Sequence, residues 1–148
     1  MSLSIFKQRI ALLLLMLSAI GQVQAEQGCP YPSMIRYVDG HFKSADKQLL
    51  WLSPKVEVRD FIDLFIGAIF MPGSGQEREN GFMDKCLYRT SSGNLVALRP
   101  AMGDLVTNMS LSSTLYWQPD IGPFNQPVFL CQDSQPDNCA FRVNGRLQ

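Results

Sequence analysis

The chain has 148 residues, with thirteen basic and thirteen acidic side chains and a single histidine, a length that suits one domain of ordinary size. A formal net charge of zero, with no Lys/Arg cluster interleaved with aromatics, argues against a nucleic-acid surface and offers no attraction to anionic membranes. Four cysteines and one histidine, with no C-x-x-C pair, match neither the common zinc patterns nor a thioredoxin-like motif.

Residues 1–25 read as an export signal. Lys7 and Arg9 supply the basic start, the run IALLLLMLSAI the apolar centre, and Val23 and Ala25 the small residues that precede a signal-peptidase cut. The apolar run is too short to span a bilayer comfortably and polar sequence follows it, so no integral membrane anchor is expected after cleavage near Ala25. The stretch EQGC lacks the apolar residue three positions before Cys29 that a lipid-attachment site requires. A periplasmic or secreted bacterial protein beginning near Glu26 is expected. Loss of Lys7 and Arg9 leaves eleven basic against thirteen acidic residues, a net charge of about −2.

Residues 26–148 are then a single domain, small enough for covalent cross-links to matter. Cys29, Cys86, Cys131 and Cys139 all fall within it, and an even count in an oxidising compartment reads as two disulfides. Four cysteines permit three pairings. Cys131 and Cys139 flank the turn-rich QDSQPDN, where a hairpin-like return would bring them to bridging distance. That favours Cys131–Cys139, with Cys29–Cys86 by remainder.

In chain order, MIRYV and HFKSA flank Asp39-Gly40, a two-residue hairpin signal because both turn residues tolerate positive φ. Residues 54–75, PKVEVRDFIDLFIGAIFMPGSG, carry two periods. Val58, Phe61, Ile62, Phe65 and Ile69 follow helical spacing, with Ser53-Pro54 as a helix start. Val56, Val58, Ile62, Leu64, Ile66 and Ala68 alternate as a strand does. The β-branched and aromatic content, Gly67 and the Pro72-Gly73 stop favour a strand pair or one long bent strand. KCLYRT and LVALRP flank SSGN as a second hairpin, and STLYWQ, PVFLC and CAFRV add three short strands. The expected fold is all-β, or β-rich α+β: an antiparallel sandwich or partly closed barrel with two disulfides.

Little in the chain specifies a reaction. His41 follows a turn, where a solvated strand-end histidine is the ordinary outcome, and no G-x-S-x-G elbow nominates a nucleophile for it. Asp60 and Asp63 would act as an acid/base pair only within a shared cleft. The loop PGSGQEREN lacks the Gly-Lys-Ser/Thr ending of a phosphate loop. As an exposed turn-rich segment it would instead present Arg78 to a partner's pocket, in the manner of an inhibitor. Tyr31, Trp51, Tyr116 and Trp117 are aromatic enough to stack on sugar rings, though a small β-domain needs such side chains in its core.

The stretch CPYP, Asp39-Gly40, Trp51, CLY followed by SSG, and the terminal Cys131 and Cys139-Ala140-Phe141 form a pattern that resembles a family of small exported proteobacterial proteins of unknown function. The resemblance covers nearly all of residues 26–148. It implies an exported single domain and brings no catalytic residue or cofactor with it.

The resulting expectation is a non-catalytic module, without metal or cofactor, that binds an envelope or secreted protein, as an inhibitor or immunity protein does. Arg78, Trp51 and Trp117 are the candidate contact residues. A cell-wall or carbohydrate-binding module using Trp51 or Trp117 is the alternative, and a small hydrolase centred on His41 the third reading.

Overall fold

The computed structural model of the protein describes residues 26–45, 49–74, 77–101 and 107–146; the export signal read at residues 1–25 lies outside the described residues. The strands are β1 (Glu26–Gln27), β2 (Arg36–Val38), β3 (His41–Ala45), β4 (Leu50–Leu52), β5 (Ile62–Met71), β6 (Phe82–Thr90), β7 (Leu95–Ala101), β8 (Thr107–Leu111), β9 (Trp117–Ile121), β10 (Pro127–Cys131) and β11 (Phe141–Arg146). Single 3₁₀ turns occupy Pro32–Met34 and Pro136–Asn138, each with proline in its first position, where a missing N–H costs nothing. Every ladder is antiparallel. The larger sheet runs β2-β3-β4-β7-β6-β5-β10-β9 and curls as a half-barrel; the smaller one runs β1-β11-β8.

Both expected hairpins form. Asp39 and Gly40 take φ of 51° and 81°, the paired positive values of the tight turn that joins β2 to β3. SSGN closes β6 onto β7, with Gly93 at φ 86° and its N–H bonded to the Thr90 carbonyl. STLYWQ contributes less than expected, because its strand begins only at Trp117. Strands β1, β4 and β8 were not anticipated; all are short, and β4 and β8 draw their stability from neighbours rather than from local pattern.

The ambiguous segment is one long bent strand. Val58 and Phe61, two of the residues that gave the helical period, are 75% and 70% exposed and precede β5. Within β5 the alternation is broken twice: Ile62 pairs with Thr90 and Leu64 with Arg89, then Phe65 pairs with Tyr88 and Gly67 with Leu87, so each time two steps on β5 match one on β6. One extra residue moves the following side chains to the other face. Leu64 therefore faces outward, half-exposed, while Ala68 and Phe70 are buried with Phe65. Gly67 has a steric reason to be glycine, since a Cβ there would lie 2.5 Å from the Cys131 carbonyl oxygen.

The core fills the space between the two sheets. Trp51 of β4 meets Phe141 of β11 edge-on at 6.2 Å, and Phe70 of β5 meets Trp117 of β9 at 6.3 Å. The Trp117 indole N–H donates to the Ala140 carbonyl at 3.0 Å, a second tie between the layers. Tyr88 is buried, and its hydroxyl donates to the Pro30 carbonyl at 2.6 Å. An isolated bridge between Gly81 and Met109 joins β8 of the small sheet to the chain entering β6.

Both expected disulfides are present, Cys29–Cys86 and Cys131–Cys139. The reason for the second differs from the one given by the sequence. Strand β10 pairs with β5 and β9, whereas β11 pairs with β1 and β8, so residues 132–140 cross from one sheet to the other and make no hairpin. Cys86, Ala68 and Cys131 sit side by side on β6, β5 and β10, in a row that Leu98 and Trp117 extend on either side. All five are fully buried. Two cystines thus rise from nearly adjacent positions on the concave face, one fastening the chain after β1 and the other the chain before β11. Ala68 between them is small enough to leave room for both.

Candidate functional site

Arg78 does not project from its loop. Its guanidinium lies 4.6 Å from the Phe129 ring centroid, Nη2 donates to the Trp117 carbonyl at 3.2 Å, and Nη1 is buried without a hydrogen-bond partner. The planar, weakly hydrated cation has packed against an aromatic rather than entering solvent. Trp51 and Trp117 are both fully buried, so neither ring offers a face to a sugar. Tyr116 packs partly buried against the core, and the Tyr31 hydroxyl donates to Asp137, tying the two 3₁₀ turns together.

His41 is half-buried, and its Nδ1 lies 2.9 Å from the Ser53 carbonyl oxygen. That contact requires the proton on Nδ1 and fixes the ring to the backbone. Asp60 lines a cleft that Asp63, exposed on β5, does not line. Asp60 accepts from the Ser91 hydroxyl at 2.6 Å and from the Phe61 N–H at 2.8 Å. These bonds, the Ser91 one foremost, hold its carboxyl well below the ordinary carboxylate range. A carboxylate so stabilised holds a loop and is a poor proton carrier. Among the described residues, no three His, Cys, Asp or Glu side chains gather as a metal site requires.

A groove of about 310 Å³ lies on the outer face of the larger sheet. Its floor is Ile69 and Met71 of β5, Phe82 of β6, and Val128 and Leu130 of β10. These outward residues alternate with core residues, so the sheet is apolar on both faces here. The turn between β9 and β10 forms one wall with Ile121 and Phe124. Exposure rises from 47% at Phe82 to 61% at Ile121 and 88% at Phe124. Single exposed apolar residues are ordinary; here Phe82, Ile121 and Phe124 line one groove together.

The Phe124 turn is held in shape by its own hydrogen bonds. Gly122 N–H donates to the Gln126 carbonyl at 2.7 Å, Asn125 N–H to the Gly122 carbonyl at 3.0 Å, and Phe124 N–H to the Gln126 side-chain oxygen at 2.9 Å. Asn125 takes the positive φ of 60° that the turn needs. The rim carries balanced charge: Asp84 pairs with Arg99 at 3.1 Å and Lys85 at 3.5 Å, and Asp120 stands across the groove. Neither Phe82 nor Phe124 was singled out from sequence. The available signal was an aromatic in IGPFNQP, a Gly-Pro and Asn context that places it at the tip of a turn.

Fold and surface together define a disulfide-stapled antiparallel β-domain with an apolar outer groove. The chain belongs to the family described as "Protein of unknown function (DUF3757)", whose model matches residues 24–142. No curated protein and no solved structure matches it. Two disulfides fit a protein of an oxidising compartment, outside the cell or in the periplasm. Among the described residues no helix is long and apolar enough to cross a membrane.

Proposed function

We propose that the protein is exported through the signal at residues 1–25 and acts without catalysis, by binding another envelope or secreted protein as an inhibitor or immunity protein does. The observation that carries this reading is Phe124, an aromatic 88% exposed on a pre-shaped turn above an apolar groove. Large aromatics on pre-organised turns supply a disproportionate share of binding energy at protein interfaces, because little freedom is lost when they dock. The balanced rim favours a neutral apolar anchor on the partner over a strongly charged surface. Arg78, Trp51 and Trp117 then support the fold, and the groove takes over the contact role first given to them. With Trp51 and Trp117 buried, the glycan-stacking reading has no platform at either residue.

The test uses purified residues 26–148 as bait for envelope and secreted fractions of the producing cell, with Phe124→Ser alongside. A partner held near one-to-one by the parent and weakened by about 2 kcal/mol, roughly thirtyfold in Kd, in the variant supports the reading. Retention unaffected by both Phe124→Ser and Ile121→Ser, or retention of glycan alone, sinks it.

A further inference from the structure

A second cleft, of about 300 Å³, lies at the other end of β5 from the groove, between residues 59–62, the 3₁₀ turn at Pro32–Met34 and the edge strand β2. Its floor is apolar. Ile35 and Phe42 are buried, and the Tyr37 ring meets Phe42 edge-on at 5.4 Å.

Its rim carries two arginines against one carboxylate. Arg36 and Arg59 both line the cleft, and Lys43 stands directly opposite Arg36 in the β2–β3 ladder. Like charges facing each other across neighbouring strands destabilise a sheet. Nothing offsets this pair: the ion pairs among the described residues join Asp84 to Lys85 and Arg99, and Glu26 to Arg142. The carboxylate lining the cleft, Asp60, accepts from Ser91 and Phe61 and forms no ion pair with either arginine, so the lining keeps one positive charge in excess. Arg36 is steadied by one bond from Nη1 to the Ser33 carbonyl at 3.0 Å, which leaves its remaining N–H groups free to donate. Arg36 and Arg59, neither held in an ion pair, thus outnumber Asp60 on the cleft lining, although residues 26–148 as a whole carry a slight net negative charge.

We propose that this cleft binds a small organic oxyanion, a carboxylate or phosphate carried on a ligand of about monosaccharide size, gripped by Arg36 and Arg59 with its body resting on Tyr37 and Phe61. Guanidinium forks match the planar geometry of carboxylates and the oxygens of phosphates. Phe61, 70% exposed, and Tyr37 supply the apolar faces on which a sugar or similar ring lies. The volume is at the small end for ligand pockets, which excludes a long chain. This site is independent of the protein-binding groove.

The experiment is an NMR titration of ¹⁵N-labelled residues 26–148 with glucuronate, inorganic phosphate and, as neutral control, glucose. Glucuronate or phosphate should give saturable shifts confined to residues 33–43 and 59–62, with Kd on the order of 0.1–1 mM and weakening as salt is raised. Saturation by glucuronate alone identifies a carboxylate ligand, and by phosphate alone a phosphorylated one. Arg36→Gln and Arg59→Gln should each weaken binding about tenfold without lowering the thermal midpoint, while Phe124→Ser leaves binding intact. No saturation by either anion, equal shifts with glucose, or binding undiminished in both arginine variants overturns the proposal.

Discussion

Deleting each disulfide in turn separates the covalent contribution to stability from packing. The loops closed by Cys29–Cys86 and Cys131–Cys139 differ in sequence separation, 57 against 8. Loop-closure entropy assigns about 4.2 kcal/mol to the first and about 2.5 kcal/mol to the second, a difference of about 1.7 kcal/mol. Local packing terms largely cancel in that difference, because Cys86 and Cys131 flank Ala68 in one buried row and all four cysteines are 3% exposed or less. The variants are Cys29→Ala/Cys86→Ala and Cys131→Ala/Cys139→Ala. Urea unfolding is followed through the fluorescence of Trp51 and Trp117, both buried in the native state. The first variant should be the less stable, and should show the steeper denaturant dependence, since an unfolded chain freed of the longer loop exposes more surface. Equal destabilisation, or a larger loss on removing Cys131–Cys139, would show that strain or residual structure outweighs loop entropy here.

Gly67→Ala places a methyl 2.5 Å from the Cys131 carbonyl oxygen and should cost about 2–4 kcal/mol in chemical denaturation; a loss below 1 kcal/mol would mean that β5 and β10 shift freely. Arg78→Ala should lower stability by about 1–2 kcal/mol through its lost contacts with Phe129 and the Trp117 carbonyl, read from the shift in thermal midpoint. Asp60 titrates lower in the folded protein than in the unfolded chain, so its contribution is full above about pH 4 and falls away as the pH drops towards its folded value. Asp60→Asn should therefore flatten the acid limb of a stability-versus-pH curve and leave its slope near neutrality unchanged; an identical acid limb would contradict the Ser91 and Phe61 bonds.

The parts of this protein that local chemistry dictates were legible in the sequence. Asp39-Gly40 and SSGN specify turns because few other residues take the backbone angles required, and the cysteine count with its spacing left disulfides as the simplest use of the thiols. Export was read from the same local pattern at residues 1–25 and stands as part of the proposed function.

What tertiary structure decided lies where one residue's role depends on a distant strand. Arg78 was read as a presented side chain, but Phe129 and the Trp117 carbonyl, far along the chain, draw it inward. Alternation gave the wrong face for Leu64 because bulges at residues 62–64 and 65–67 reverse side-chain parity on either side of it, and those bulges exist only where β6 pairs with β5. The Cys131–Cys139 pair was anticipated as a hairpin closure, yet its strands belong to different sheets. The groove under Phe124 and the paired arginines of the second cleft assemble from segments separated by tens of residues. Sequence determined the turns and the strand-forming character, since these follow from each residue's own backbone and side-chain preferences. Burial and charge pairing follow from which strands become neighbours, and that is a property of the whole fold.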